Sequence, residues 1–210
     1  MASALLAVVS IAVGIYNVNV AVAAQAEEEL LRGLGEARTL IEENRRIGVE
    51  HFTREARLIA DLPRLKAAAA ESDANTARTV VEEYQQQLSA DLFLVTDRTG
   101  RVLVRLPASG SAAAPETLAG VRRAVTGEET SSLVRHAGGI LQLVSVPIWI
   151  SPTPDAPDIL GSLSIGFSLD RRAAARYRSL TNSEIAFGAG NSIEASTIPS
   201  SGWPTLAPLL

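Results

Sequence analysis

The chain has 210 residues, enough for one good-sized domain and a long helix, and its formal net charge of -4 leaves no basic surplus for nucleic acid. Cysteine is absent, which excludes disulfides, thiolate catalysis and cysteine-based zinc sites. All but one of the 19 basic residues are arginine, Lys66 being the exception, a bias we assign to GC-rich coding rather than to chemistry.

Ala4 to Ala24 carries no charged residue and is about as long as a bilayer's hydrocarbon core is thick. Leu5 to Ile15 is strongly apolar, whereas Asn17 and Asn19 weaken the second half. Residues 1–24 therefore read as a transmembrane anchor helix. The competing readings are a cleaved signal ending at Ala21-Val22-Ala23 and a buried soluble helix. No Lys or Arg precedes the run, so the usual orientation cue is missing.

Residues 25–70 read as one long helix, without proline until Pro63. Leu30, Leu34, Ala37, Ile41, Asn44, Gly48, His51, Glu55, Leu58, Leu62 and Leu65 follow at alternating four- and three-residue steps. That is a heptad seam, apolar at both ends and polar in the middle, and it fits a parallel homodimer. Packing of the helix on its own domain is the alternative.

Residues 71–182 read as a sensor lobe. Ser72 to Asn75 is a capping loop, and Thr76 to Leu88 is a helix with Val80, Val81, Tyr84 and Leu88 on its apolar side. The organising stretch is the hairpin ADLFLVTDRTGRVLVRL, Ala90 to Leu106. Its first strand is the run Leu92 to Val95, its turn Asp97 to Gly100, and Val102, Val104 and Leu106 share one face of the second strand. A small-residue loop (107–115) leads to a short helix over 115–126 that Gly127 ends. Ser131 to Arg135 and Ile140 to Ile150 are strands around His136-Ala-Gly-Gly139. Ser151 to Pro157 is a loop, Leu160 to Leu169 another strand, and Asp170 caps a helix from Arg171 to about Leu180. Residues 183–210 add a hairpin, or the start of a truncated second lobe, followed by a proline-rich tail. The order predicts an α+β fold: a PAS-like antiparallel sheet with flanking helices, preceded by a long N-terminal helix.

At this point the chain resembles the Cache family, the PAS-like, double-Cache-like extracytoplasmic sensor domains of bacterial membrane receptors. The resemblance rests on the anchor joined to a long helix, on LFLVTDRTGRVLVRL, and on the later pair ILQLVSVPIWI and ILGSLSIGFSLD. It implies a sheet whose concave face, with the helix and loops above it, holds a small ligand. Binding would shift the long helix against its dimer mate and pass the shift through the membrane. The output (histidine kinase, nucleotide or diguanylate cyclase, or chemoreceptor) would lie outside this chain, at the bacterial inner membrane with the sensor in the periplasm or outside the cell. The family's amine-binding motif, with its Tyr, Arg, Trp and Asp spacing, is not visible. A structural or partner-protein-binding ectodomain without a ligand is the alternative function.

No catalytic constellation stands out, and no enzyme, cofactor or metal is expected. His51 and His136 have no acidic cluster at ligand spacing. Ser162 and Ser164 lie between Gly161 and Gly166 at the wrong spacing for a nucleophile elbow, and read as strand residues. For a small-molecule ligand, Arg105, Arg123, Arg135, Gln142 and Ser145 are the candidate binding residues, with Arg122 beside them. An arginine facing such a pocket would take a carboxylate through two parallel hydrogen bonds.

Overall fold

The computed structural model describes residues 2–107, 119–136, 139–151, 158–189 and 192–206, with side chains for 29, 31–107, 119–135, 139–150, 158–188 and 192–204. The apolar stretch Ala4–Ala24 and most of the loop read at 107–115 fall outside those side chains, as does the Ser151–Pro157 loop. Among the described residues no helix is long and apolar enough to cross a membrane.

Helix α1 runs over Ala2–Ala60 and is stopped by Pro63. Proline disfavours the helical conformation in the residue before it, and Leu62 is extended at φ -60°, ψ 127°. Pro63 then opens α2 (Pro63–Glu71), whose end Ser72 closes in the left-handed conformation, its N–H bonded back to Ala68 and Ala69. Asp73 caps α3 (Ala74–Leu88), accepting from the backbone N–H of Asn75 at 2.9 Å and of Thr76 at 3.2 Å.

Five antiparallel strands come next: β1 (Leu92–Asp97), β2 (Val102–Leu106), β3 (Thr130–His136), β4 (Gly139–Ser151) and β5 (Asp158–Ser168). Their spatial order is β2-β1-β5-β4-β3, so the hairpin β1–β2 joins the meander through a β1–β5 pairing. One face is covered by α1, α2 and α3. Ala56, Ile59, Leu65, Ala69, Ala77 and Val81 meet Phe93, Val95, Val104, Val144, Val146, Ile148, Leu163 and Ile165 in the main core. Fully burying a Val, Leu, Ile or Phe side chain contributes about 1.5–3 kcal/mol of transfer free energy. The other face carries Leu92, Leu94, Leu141 and Leu143 under Val121 of the short helix α4 (Ala119–Ala124).

Two expectations are corrected in detail. Val102 does not share a face with Val104 and Leu106. The β1–β2 register slips at Val95/Thr96, pairing Val95 with Val104 but Thr96 with Val102. The bulge sends Val102 to the α4 side, because one extra residue reverses a period of two. The contact face of α1 is also offset from the heptad seam: Phe52, Ala56, Ile59 and Ala60 pack inward while Leu58 stays 60% exposed.

Asp170 caps α5 (Arg171–Thr181) as the sequence predicts, accepting from the Ala173 N–H at 2.9 Å. The chain then forms a separate two-stranded ribbon, β6 (Ala186–Ala189) with β7 (Ser192–Ser196). Tyr177 of α5 meets Phe187 edge-on, with ring centres 6.0 Å apart. A 3-10 turn (Ser200–Gly202) and α6 (Trp203–Leu206) complete the described residues, with the Trp203 indole donating to the Ile198 carbonyl at 3.0 Å.

Candidate functional site

The two sheet faces differ in chemistry. On the α4 face a stripe of hydroxyls crosses the central strands, and all of them are buried: Thr96, Ser162, Ser164 and Ser145. They bond in pairs, Thr96 Oγ1 with Ser162 Oγ at 2.8 Å and Ser145 Oγ with Ser164 Oγ at 2.7 Å. A hydroxyl donates once and accepts twice, so in the Ser145–Ser164 pair one proton is used between the two and the other remains for a third group. Arg105 sits half-buried on β2 opposite Leu94, hence on this same face.

Helix α4 approaches the stripe closely. A Cβ on Gly120 would fall 2.9 Å from Thr130 Oγ1 and 3.2 Å from Ser145 Oγ, so only glycine seats the helix at that depth. After α4, Gly127 takes φ +98° and lies under the Trp149 ring, where a Cβ would be 3.1 Å from Cη2. Trp149 thus touches the exit of α4.

The sequence-derived candidates divide between surfaces. Arg105 and Ser145 share the α4 face. Arg123 is exposed on α4 and paired with Glu128, whose carboxyl that hydrogen bond holds below its usual range. Arg135 is exposed on β3 and reaches β7, donating to Ser192 Oγ at 3.1 Å beside Glu194 at 3.7 Å, so it ties the sheet edge to the ribbon. Gln142 is buried on the α1 face, paired in register with Phe167 and Leu133.

The hairpin turn is held by one carboxylate. Asp97 accepts from Thr99 N and Oγ1 and from Arg101 N and Nε, at 2.6 to 3.0 Å. Burial opposes its ionisation, but those four bonds together outweigh it and hold the carboxyl below its ordinary range.

A concavity of about 310 Å³ opens on the α1 face between the middle of α1, the ends of β4 and β5, and α5. Phe52 and Phe167 stack along one wall. Asn44, from the polar middle of the heptad seam, and Gly48 line it from α1, and Arg172 and Arg176 from α5. The seam carries no signal that α5 would fold back onto α1. Among the described residues no group of histidines and acids is placed to hold a metal ion.

A family profile described as the double sensory domain of two-component sensor kinase matches residues 23–209. The chain belongs to this family of Cache-type sensor domains. Solved sensor domains share the fold. The sensor domain of the V. cholerae histidine kinase DctB superposes with a TM-score of 0.58 at 13% identity, over 82% of this chain and 69% of that one. The ligand-binding domain of the Campylobacter jejuni chemoreceptor Tlp3, solved with 4-methylisoleucine, gives 0.51 at 18% identity, over 80% of this chain and 70% of that one. The E. coli DcuS sensor domain gives 0.49 at 19% identity, covering 66% of this chain and 98% of that one. No curated protein matches the sequence significantly. In this sensor domain the five-stranded sheet is the PAS-like platform, and α4 lies on the face opposite the long N-terminal helix.

Proposed function

We propose that the chain is the extracytoplasmic ligand-sensing part of a membrane-bound two-component receptor, and that it takes a small carboxylate on the α4 side of the sheet, with Arg105 and Ser145 as its partners. The observation that carries this is the buried hydroxyl stripe on a face otherwise built of leucine. Its spare Ser145–Ser164 proton and the Arg105 guanidinium are suited to the two ends of a carboxylate-bearing solute. Any enzymatic output would lie in a separate domain.

In this reading residues 1–24 anchor the chain in the inner membrane and α1 continues outward as the dimerisation helix. Leu34 of α1, on the heptad seam, is more than half exposed, which supports a partner copy along that helix. A ligand that binds one dimer arrangement better than another shifts the population between them, and α1 carries the shift to the membrane.

Trp149 provides the test. With Trp203→Phe removing the other tryptophan, its emission reports on the Gly127 contact at the exit of α4. Titration of the full chain in detergent with acetate, succinate and malate is expected to produce a saturable change with at least one of them, and Arg105→Ala to weaken it about tenfold or more. A saturable change untouched by Arg105→Ala would overturn the placement.

A further inference from the structure

The cleft between α1 and α5 has the composition of a second binding site. Arg45 lines it from α1, and Arg172 and Arg176 stand one turn apart on one face of α5. None of these three makes an ion pair or hydrogen bond among the described residues, whereas nine other arginines are in ion pairs. Two carboxylates share the cleft and each has one oxygen engaged: Asp91 Oδ2 accepts from the Ser168 N–H at 2.6 Å, and Asp170 Oδ1 from the Ala173 N–H at 2.9 Å. The second oxygen of each remains available.

Gln142 adds an independent observation. It lines the cleft, is 95% buried, and its Oε1 is the buried side-chain oxygen without a hydrogen-bond partner among the described residues. The amide orientation is fixed, because its nitrogen donates to Ser131 Oγ at 2.7 Å and to the Ser132 carbonyl at 3.4 Å, and a carbonyl accepts only from a donor. An acceptor orphaned at such depth is costly unless something donates to it.

We propose that this cleft binds a small zwitterion, with its carboxylate on Arg45, Arg172 and Arg176 and its ammonium on Gln142 Oε1 and the free oxygens of Asp91 and Asp170. A ligand with only one of the two groups would leave either the arginines or the acceptors unanswered. The volume of about 310 Å³ suits a solute of few heavy atoms, at the small end of ligand cavities. The site is on the face opposite α4 and is independent of the carboxylate site proposed there. Its walls belong to α1 and α5, so an occupant fastens the long helix to the helix that leaves the sheet. It acts as a co-ligand that sets how firmly α1 is held.

The test uses the full chain in detergent micelles and follows thermal unfolding with glycine, β-alanine and 4-aminobutyrate, zwitterions that differ only in the spacing of their charges. Acetate and methylammonium supply each charge alone. In the Arg105→Ala background, where the carboxylate site proposed on the α4 face is silenced, at least one zwitterion is expected to raise the midpoint in a saturable way, and neither half-ligand to do so. The paired change Arg172→Ala/Arg176→Ala involves exposed side chains and is expected to weaken that effect at least about tenfold while leaving the unliganded midpoint in place. Gln142→Leu should weaken it too, since it removes the orphaned oxygen. Arg105→Ala should leave it unchanged, which separates failure here from failure of the α4-face reading. No response to any zwitterion, an equal response to acetate in the Arg105→Ala background, or a response indifferent to the arginine pair would each overturn the proposal.

Discussion

Replacing Gly161 by alanine is the severest single-methyl perturbation the fold offers. Gly161 lies on β5 between Asp97 of β1 and Ile148 of β4. A Cβ there would stand 1.9 Å from the Thr96 carbonyl oxygen, 2.9 Å from its carbon and 3.1 Å from the Asp97 carbonyl carbon, where real contacts essentially never fall under 3.0 Å. All three neighbours are backbone, so relief requires β1 and β5 to part by more than 1 Å. The Thr96–Ser162 hydroxyl bond at 2.8 Å and the Ser162 N–H donated to Thr96 Oγ1 at 3.2 Å resist that movement. The expected cost is about 3 kcal/mol or more, at the upper end for overpacking. It corresponds to a fall in midpoint of about 6–12 °C for a domain of this size. Gly166→Ala is the internal control. Its Cβ would meet Leu92 Cβ at 3.1 Å and Leu143 Cδ1 at 3.4 Å, contacts that a shift of about a few tenths of an ångström relieves, so about 1 kcal/mol is expected. Urea unfolding followed by circular dichroism measures both. Equal losses for the two variants, or a Gly161→Ala loss below about 0.5 kcal/mol, would refute the close approach of β1 and β5.

Three further outcomes are expected from the same structure. The Asp97 carboxyl is held low in the fold, so its stabilisation is complete above the unfolded value near 3.8 and disappears as pH falls through the folded one. The stability gap between the native chain and Asp97→Asn should therefore be constant from pH 7 to about 5 and close toward pH 3, and an unchanged gap at pH 3 would contradict the hydrogen-bond assignment. Gly35 is in exposed α1 with nothing within 4 Å of its missing Cβ, so Gly35→Ala should stabilise the chain by up to about 1 kcal/mol in urea unfolding. A loss of stability there would mean that this part of α1 is not a free-standing helix. Leu34→Lys with Ile41→Lys should abolish self-association in sedimentation, and an unaltered profile would return that face to packing within the chain.

The parts of the fold written in local chemistry were legible in the sequence. Asp73, Asp170 and the Leu62-Pro63 break placed three helix ends, because caps and proline act within a few residues. Leu141 and Leu143 lie on one sheet face and Val144 and Val146 on the other, a division that period two along the strand carries without tertiary knowledge. The bulge that moved Val102 was not legible, because register is a property of two strands. The candidate site was readable only in part. Which face a residue occupies depends on the pairing β2-β1-β5-β4-β3, and this joins Arg105 with Ser145 while sending Gln142 and Arg135 elsewhere. The α1–α5 cleft was invisible, because Arg45 and Arg176 are far apart in the chain and only the return of α5 brings them to one cavity.

The most direct test of the sensor reading is a thermal-unfolding screen of the full chain against organic acids, amino acids, amines and nucleobases. A carboxylate present at about 100 times its dissociation constant is predicted to stabilise the fold by roughly 2.7 kcal/mol, and Arg105→Ala to remove the effect. A midpoint that stays fixed across the whole panel would contradict that reading and leave the domain to sense a protein partner instead.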